Sequence, residues 1–325
     1  MNLQLEYMNL KSLSLAAVCI VFIFISCERT SEYESPFYRI DSLYNFKSYS
    51  SDLAIDKFDN KWIATSEGLL RYNDSGKKLF TRADGLNSDT VYRVVTDKNG
   101  NVWSIGANNG VCQFNGKNFI IHNPSTRSIP KMIDPTALMV DHNNHLWVGA
   151  YLGLYEFDGA VWKNYESVKF ARNMWARKIF PDPENEGSLL ISTYDHTIIR
   201  FDGSNYQQLD KIYDISPYLI EYIIKDETGA IYCGLDGKGL LIRTRGTNSY
   251  LSISDKIYEN SVYRIVPGNN NRLWLGTGRG LCYVENGKVF DYRFSEVGMG
   301  YIGEFALDSR GIPWISVHTR LVTFK

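Results

Sequence analysis

A unit of roughly 42 residues recurs seven times between about Ser51 and the last residue, Lys325. Its clearest copy reads Thr-Asp-Lys-Asn-Gly-Asn-Val-Trp-Ser-Ile-Gly-Ala-Asn-Asn-Gly-Val from Thr96 to Val111, and near-copies surround Trp62, Trp147, Trp274 and Trp314. Leu190 and Tyr232 take the Trp position in two divergent copies, so the steps between the seven positions are 41, 44, 43, 42, 42 and 40 residues. A period near 40 that contains several short strands is the mark of a β-propeller, because one such sheet cannot bury its faces alone and a ring of them can. The expected fold is all-β: a single seven-bladed β-propeller of four-stranded antiparallel blades.

Within the second copy the strands are expected at Val91 to Thr96, Val102 to Gly106, Val111 to Phe114 and Phe119 to His122. The first two are joined through Asp97-Lys98-Asn99-Gly100, where Asp bonds the backbone ahead of it and Gly accepts positive φ. That Asp recurs as Asp56, Asp141, Asp226 and Asp308, six residues before each Trp-position residue. The next turn keeps Gly68, Gly110, Gly153, Gly239 and Gly280. Asn115-Gly116 is a hairpin signal. The Trp rings hold one equivalent position in the second strand and are read as packing between blades, with no ligand role.

The ends of the array predict how the ring closes. The seventh copy supplies strands at Glu304 to Leu307, Pro313 to Ser316 and Leu321 to Phe324 and no fourth, whereas Tyr44 to Tyr49 resembles a spare fourth strand before the first copy. Residues 44 to 49 are expected to complete the last blade, which removes the unpaired edge. The propeller then spans 44–325. Before it, Lys11 precedes an apolar run from Leu13 to Ile25 that ends in Phe24-Ile25-Ser26-Cys27. Thirteen residues are too few to span a bilayer and suit a signal-peptide core. The ending resembles a bacterial lipobox, with Phe24 where Leu is usual, which implies residues 1–26 as signal, lipid on Cys27 and a tether over 27–43. Met8 would make a cleaner start than Met1, since Glu6 sits badly before such a run. Cys112, Cys233 and Cys282 fall on different blades, too far apart for a bridge, and are expected as buried thiols. A net charge of −1 gives no basic stripe for nucleic acid.

The pattern Asp-x-x-Gly-x-x-Trp-x-x-x-x-x-x-Gly-Leu, carried by Asp141 to Leu154 (with Asn144 at the first Gly) and by Asp97 to Val111, resembles the two-component regulator propeller repeat. That resemblance implies an extracytoplasmic sensor propeller, often one for glycan fragments. Here one ring stands without a kinase or DNA-binding segment, so the expectation narrows to a lipid-anchored monomer in the bacterial cell envelope, on its periplasmic side or at the cell surface. It would bind a glycan, an acidic oligosaccharide or another small ligand, and would meet the membrane only through its lipid. An envelope protein-interaction scaffold is the alternative. A propeller-type lyase acting on antibiotics or uronates is the second.

Binding in propellers concentrates where the central funnel opens, among turns between second and third strands and connections between blades. Those connections are long and aromatic: Pro124 to Pro135, Ser167 to Trp175, Asp210 to Tyr222, Asp255 to Tyr263 and Ser295 to Tyr301. Three blades begin with an aromatic residue close to Arg, namely Tyr92-Arg93, Trp175-Ala176-Arg177 and Tyr263-Arg264. Arginines beside aromatic rings suit a carboxylate. The candidate ligand-binding set on the funnel face is therefore Tyr92, Arg93, Tyr151, Trp175, Arg177, Tyr222, Tyr263, Arg264, Arg279, Tyr301 and Glu304. The same arginines can instead pair internally with Glu304 or Asp52. No catalytic residue, metal or cofactor is assigned: His196 and His318 lie three blades apart, His142 and His145 are expected in a solvated turn, and no calcium loop or phosphate-cradling loop is present.

Overall fold

The structure is a computed structural model that describes residues 41–45, 50–123, 132, 134–151, 153–165, 175–216, 219–253, 259–269, 271–292, 301–317 and 319–323. Its repeating device is the Asp-to-Trp spacing. In blade 2, Asp97 Oδ1 accepts the Asn101 N–H at 2.8 Å and closes the turn, while Oδ2 accepts the Trp103 indole N–H at 3.0 Å. The pairs Asp56–Trp62 (2.8 Å), Asp141–Trp147 (2.9 Å) and Asp308–Trp314 (3.2 Å) repeat the arrangement, and the Tyr232 hydroxyl donates to Asp226 at 3.0 Å in a divergent copy. One carboxylate thus satisfies a turn and a buried ring together. Blade 4 keeps the acid as Asp182 but lengthens the turn, and Oδ2 accepts Arg200 Nε at 2.7 Å instead. Blade 6 has Gly268 there, and its Trp274 ring fills the space: a Cβ on Gly268 would lie 2.7 Å from the indole.

Seven four-stranded antiparallel sheets follow. Their inner strands are Ser50–Ile55, Val91–Thr96, Pro135–Val140, Ala176–Pro181, Ile220–Lys225, Val262–Pro267 and Phe305–Leu307, each contacting the next, with the last closing on the first. The four strands of blade 2 have the bounds the sequence predicts. The Trp rings are buried in the seams. Trp62 meets Phe114 of the next blade with centroids 5.4 Å apart, Trp103 meets Phe157 at 5.5 Å, Trp147 meets Phe201 at 6.2 Å, and Trp314 meets Tyr72 of blade 1 at 5.7 Å. Gly68 is forced by close approach: a side-chain Cβ would sit 2.2 Å from the Phe80 carbonyl oxygen.

The N-terminal strand completes the last blade, with a corrected position. Asp41–Asn45 pairs antiparallel with Arg320–Thr323, Tyr44 opposite Leu321, so the closing strand lies three residues upstream of the expected 44–49. Of that range, 46–49 fall outside the described residues, as does Cys27. The Tyr44-to-Tyr49 likeness to other fourth strands specifies the element but not its register, since alternating side chains allow several pairings. Cys112, Cys233 and Cys282 are buried and unbridged. Among the described residues no helix is long and apolar enough to cross a membrane.

Candidate functional site

In the first six blades the pairing of the inner strand slips by one residue between its first and third positions. Such a bulge re-aims side chains. The third position of successive blades is Asp52, Arg93, Ala137, Lys178, Tyr222 and Arg264, and Glu304 stands at the equivalent place in blade 7. All seven line one central cavity of about 370 Å³. The next lining position is apolar, including Ala54, Val95, Met139 and Phe180. A polar ring therefore sits above an apolar one.

Two parts of the ring differ in how their charges are met. Arg264 pairs with Glu304 and lies 4.0 Å from Asp52, while its buried Nε has no partner. Asp52 accepts the Leu53 N–H at 2.8 Å and reaches the next inner strand to accept the Val94 N–H at 3.0 Å. Burial, then the charge of Glu304, pushes Asp52 up to about 6, against the pull of Arg93 and Arg264. Arg264 is held above its ordinary range even though burial opposes its charge, because Glu304, Tyr222 and Asp52 together outweigh it. The charged form is thus disfavoured at Asp52, by burial first and by Glu304 second, and favoured at Arg264, whose main partner is that same Glu304. Lys178 sends its ammonium across the neck to the carbonyls of Glu221 (3.2 Å) and Tyr263 (3.1 Å), the latter two blades away. Burial holds it below the usual lysine range. Arg93 donates to the Tyr92 carbonyl at 3.1 Å. Neither Lys178 nor Arg93 has a carboxylate within 4.0 Å among the described residues.

The sequence pattern puts Arg177 in register with Arg93 and Arg264, and the structure corrects this. Lys178 is their equivalent, and Arg177 occupies the position before it, forming a two-bond pair with Glu221 at 2.8 and 2.5 Å. Counting four residues back from Asp182 finds Lys178, but the longer blade-4 turn hides Asp182 from a search based on a six-residue spacing. Arg93, Arg177, Tyr222, Arg264 and Glu304 line the cavity. The other candidates lie elsewhere on the funnel face. Tyr92, Trp175 and Tyr301 are 44%, 48% and 56% exposed, and Tyr151, Tyr263 and Arg279 are half-buried. Trp175 stands edge-on between Tyr151 (6.1 Å) and Tyr194 (6.5 Å), and Tyr263 packs on Tyr301 at 4.6 Å. Tyr194 is absent from the sequence-based set, although it follows the second strand of blade 4 as Tyr151 follows that of blade 3.

Most of the long connections fall on residues outside those described, and so does His318. His196 is exposed. His145 is not free in its turn as expected: its Nδ1 lies 2.7 Å from Oε1 of the buried Glu156. Among the described residues no group of three His, Cys, Asp or Glu is placed to hold a metal.

No protein-family model and no curated protein matches the sequence. Solved structures do match by fold. The extracellular domain assigned to the hybrid two-component system BT3049 of B. thetaiotaomicron superposes with a TM-score of 0.65 at 18% identity, over 86% of this chain. This chain spans 40% of that one. A catalytically inactive histidine-to-alanine variant of virginiamycin B lyase from Staphylococcus aureus, with quinupristin, matches at TM-score 0.65 and 14% identity, covering 86% of this chain and 97% of that one. YCF48 bound to D1 peptide matches at TM-score 0.67 and 11% identity, over 90% and 96%. The likeness establishes the fold alone.

Proposed function

We propose that this chain is a binding propeller of the bacterial cell envelope, exported and anchored by lipid on Cys27, whose funnel takes an acidic glycan fragment or a comparable small anion. The observation that carries the reading is the neck itself: a cavity of about 370 Å³ whose ring holds Arg93, Lys178 and Arg264 against only Asp52 and Glu304. A half-buried surplus of positive charge is unfavourable until an anion meets it. Exposed aromatic residues on the same face offer surface for a sugar ring. The likeness to the extracellular domain of a hybrid two-component system supports an extracytoplasmic setting.

A lyase is the second reading, since the virginiamycin B lyase matches along nearly its whole length. The inactive form of that enzyme lacks a histidine, and among the described residues that line the cavity here there is none. The test is thermal unfolding of residues 28–325 against neutral and acidic oligosaccharides. A ligand at 100 times its Kd adds about 2.7 kcal/mol, a rise of about 5 °C for a ring of this size. Acidic sugars are expected to raise Tm. Product accumulating with time would move the reading to the lyase, and no shift with any sugar would move it to an envelope scaffold.

A further inference from the structure

Resting on that reading, we infer that the neck is a seat for one carboxylate, held by Arg93 and Lys178, whereas Arg264 and Arg177 serve as internal ion-pair partners. Two of these four cations are already met. Arg177 is engaged by both oxygens of Glu221. Arg264 is engaged by Glu304, with Asp52 at 4.0 Å. That leaves Arg93, whose guanidinium has five donors and makes one bond, to a carbonyl. It leaves Lys178 too, whose ammonium has three donors and makes two bonds, both to carbonyls. Carbonyl dipoles orient an ammonium without cancelling its charge.

Blade order then locates the seat. Between Arg93 and Lys178 stands Ala137, whose methyl group packs in the seam with Ala176 and leaves that wall of the ring without a polar side chain. Blades 3 and 4 also carry the Tyr151–Trp175–Tyr194 group on the rim. The gap in the ring and the larger aromatic group thus fall in one sector flanked by Arg93, and Lys178 joins the neck from blade 4 with its ammonium turned toward blades 5 and 6. A ligand with an acid at one end and a flat apolar face at the other, such as a terminal uronate, fits that sector. The count of charges calls for a single negative charge: three cations face two carboxylates in the ring, and the Arg177–Glu221 pair beside it is neutral. A dianionic phosphate would overshoot.

The experiment is calorimetric titration of residues 28–325 with the methyl glycosides of galacturonate and glucuronate, each bearing one carboxylate, as free acids and as methyl esters, and with inorganic phosphate. Wild type, Arg93→Gln and Lys178→Met are compared, with Tm recorded for each. A charge-assisted bond lost on either side weakens binding about 10-fold or more, so each variant and each ester should lose at least that against the free acid. The ester should bind both variants as it binds wild type. Equal binding of the acid by wild type and Arg93→Gln overturns the seat but leaves the binding function standing, as does ester binding by wild type as tight as that of the free acid. If wild type takes none of the acids, the acidic-glycan reading falls and the seat with it. Phosphate binding tighter than the acids also overturns the single-carboxylate assignment. Because Arg93 is half-buried and bonds only a neighbouring carbonyl, its variant keeps the test sound should Lys178→Met fold poorly.

Discussion

The foot and the neck of each inner strand carry opposite kinds of information. At the foot, six blades have Asp56, Asp97, Asp141, Asp182, Asp226 and Asp308, and the other has Gly268. At the neck, four residues earlier in the same strands, the residues are Asp52, Arg93, Ala137, Lys178, Tyr222, Glu304 and Arg264. The register is shared, so the difference does not come from the backbone. A turn that must be closed and a ring that must be buried pose the same problem in five blades, and one carboxylate solves it in each. The neck faces a single axis, where seven copies of any charged residue would repel one another. Variation inside an otherwise strict repeat is therefore where this protein's own chemistry is written.

The sharpest way to break the foot is Asp97→Ala. It removes the acceptor of the Asn101 N–H, the Asn101 side-chain amide and the Trp103 indole at 2.8, 2.7 and 3.0 Å. Buried donors without acceptors are expensive, so the loss should be about 3 kcal/mol, read as a lower urea midpoint at unchanged slope. A loss under about 0.5 kcal/mol would mean that the repeated acid is a relic of turn composition and not a structural link.

Gly268→Asp is the reciprocal experiment, and consensus reasoning predicts the wrong sign for it. Installing the missing acid looks like a repair, yet the new Cβ would sit 2.7 Å from Cδ1 and 2.8 Å from Nε1 of Trp274. We expect it to destabilise the protein by about 2 kcal/mol through overpacking. A gain in the denaturation midpoint would show that the indole can move aside and that blade 6 follows the common rule.

The same contrast explains how much the chain's residues disclose without the fold. Blade number, blade order and the strand bounds of blade 2 are readable because Asp, Trp and Gly recur at fixed spacing. The closing strand is readable as an element but misplaced, since the residues from Tyr44 on carry no turn to set their register. At the site, aligning strand starts finds Arg93, Tyr222, Arg264 and Glu304. It loses Lys178, because Trp175 beside Arg177 imitates the aromatic-Arg pattern one position early. No local signal separates a cation that is paired from one that is not: the carboxylate of Glu221 lies 44 positions from Arg177, and only the ring brings them together.

The neck itself can be sharpened with protons. Asp52 is held near 6, above its ordinary 3.8, by burial first and Glu304 second, while Arg93, Arg264 and the Val94 N–H pull the other way. Its folded value is raised, so the ring gains a proton as pH falls through about 6, and the positive surplus at the neck grows by one charge. A carboxylate ligand should then bind more tightly at pH 5 than at pH 7.5, by about 5-fold if the added charge is worth about 1 kcal/mol at this depth. Linkage requires the converse: a bound anion raises Asp52 further, so binding in this window takes up protons, and titrations in buffers of different ionisation enthalpy should differ in apparent heat. Below about pH 4 the ligand's own carboxyl is neutralised and affinity falls again. Asp52→Asn should flatten the slope between pH 5 and 7.5. Affinity that stays level or drops over that interval in the unaltered protein would place the anion away from Asp52, and with it away from the cations of the neck.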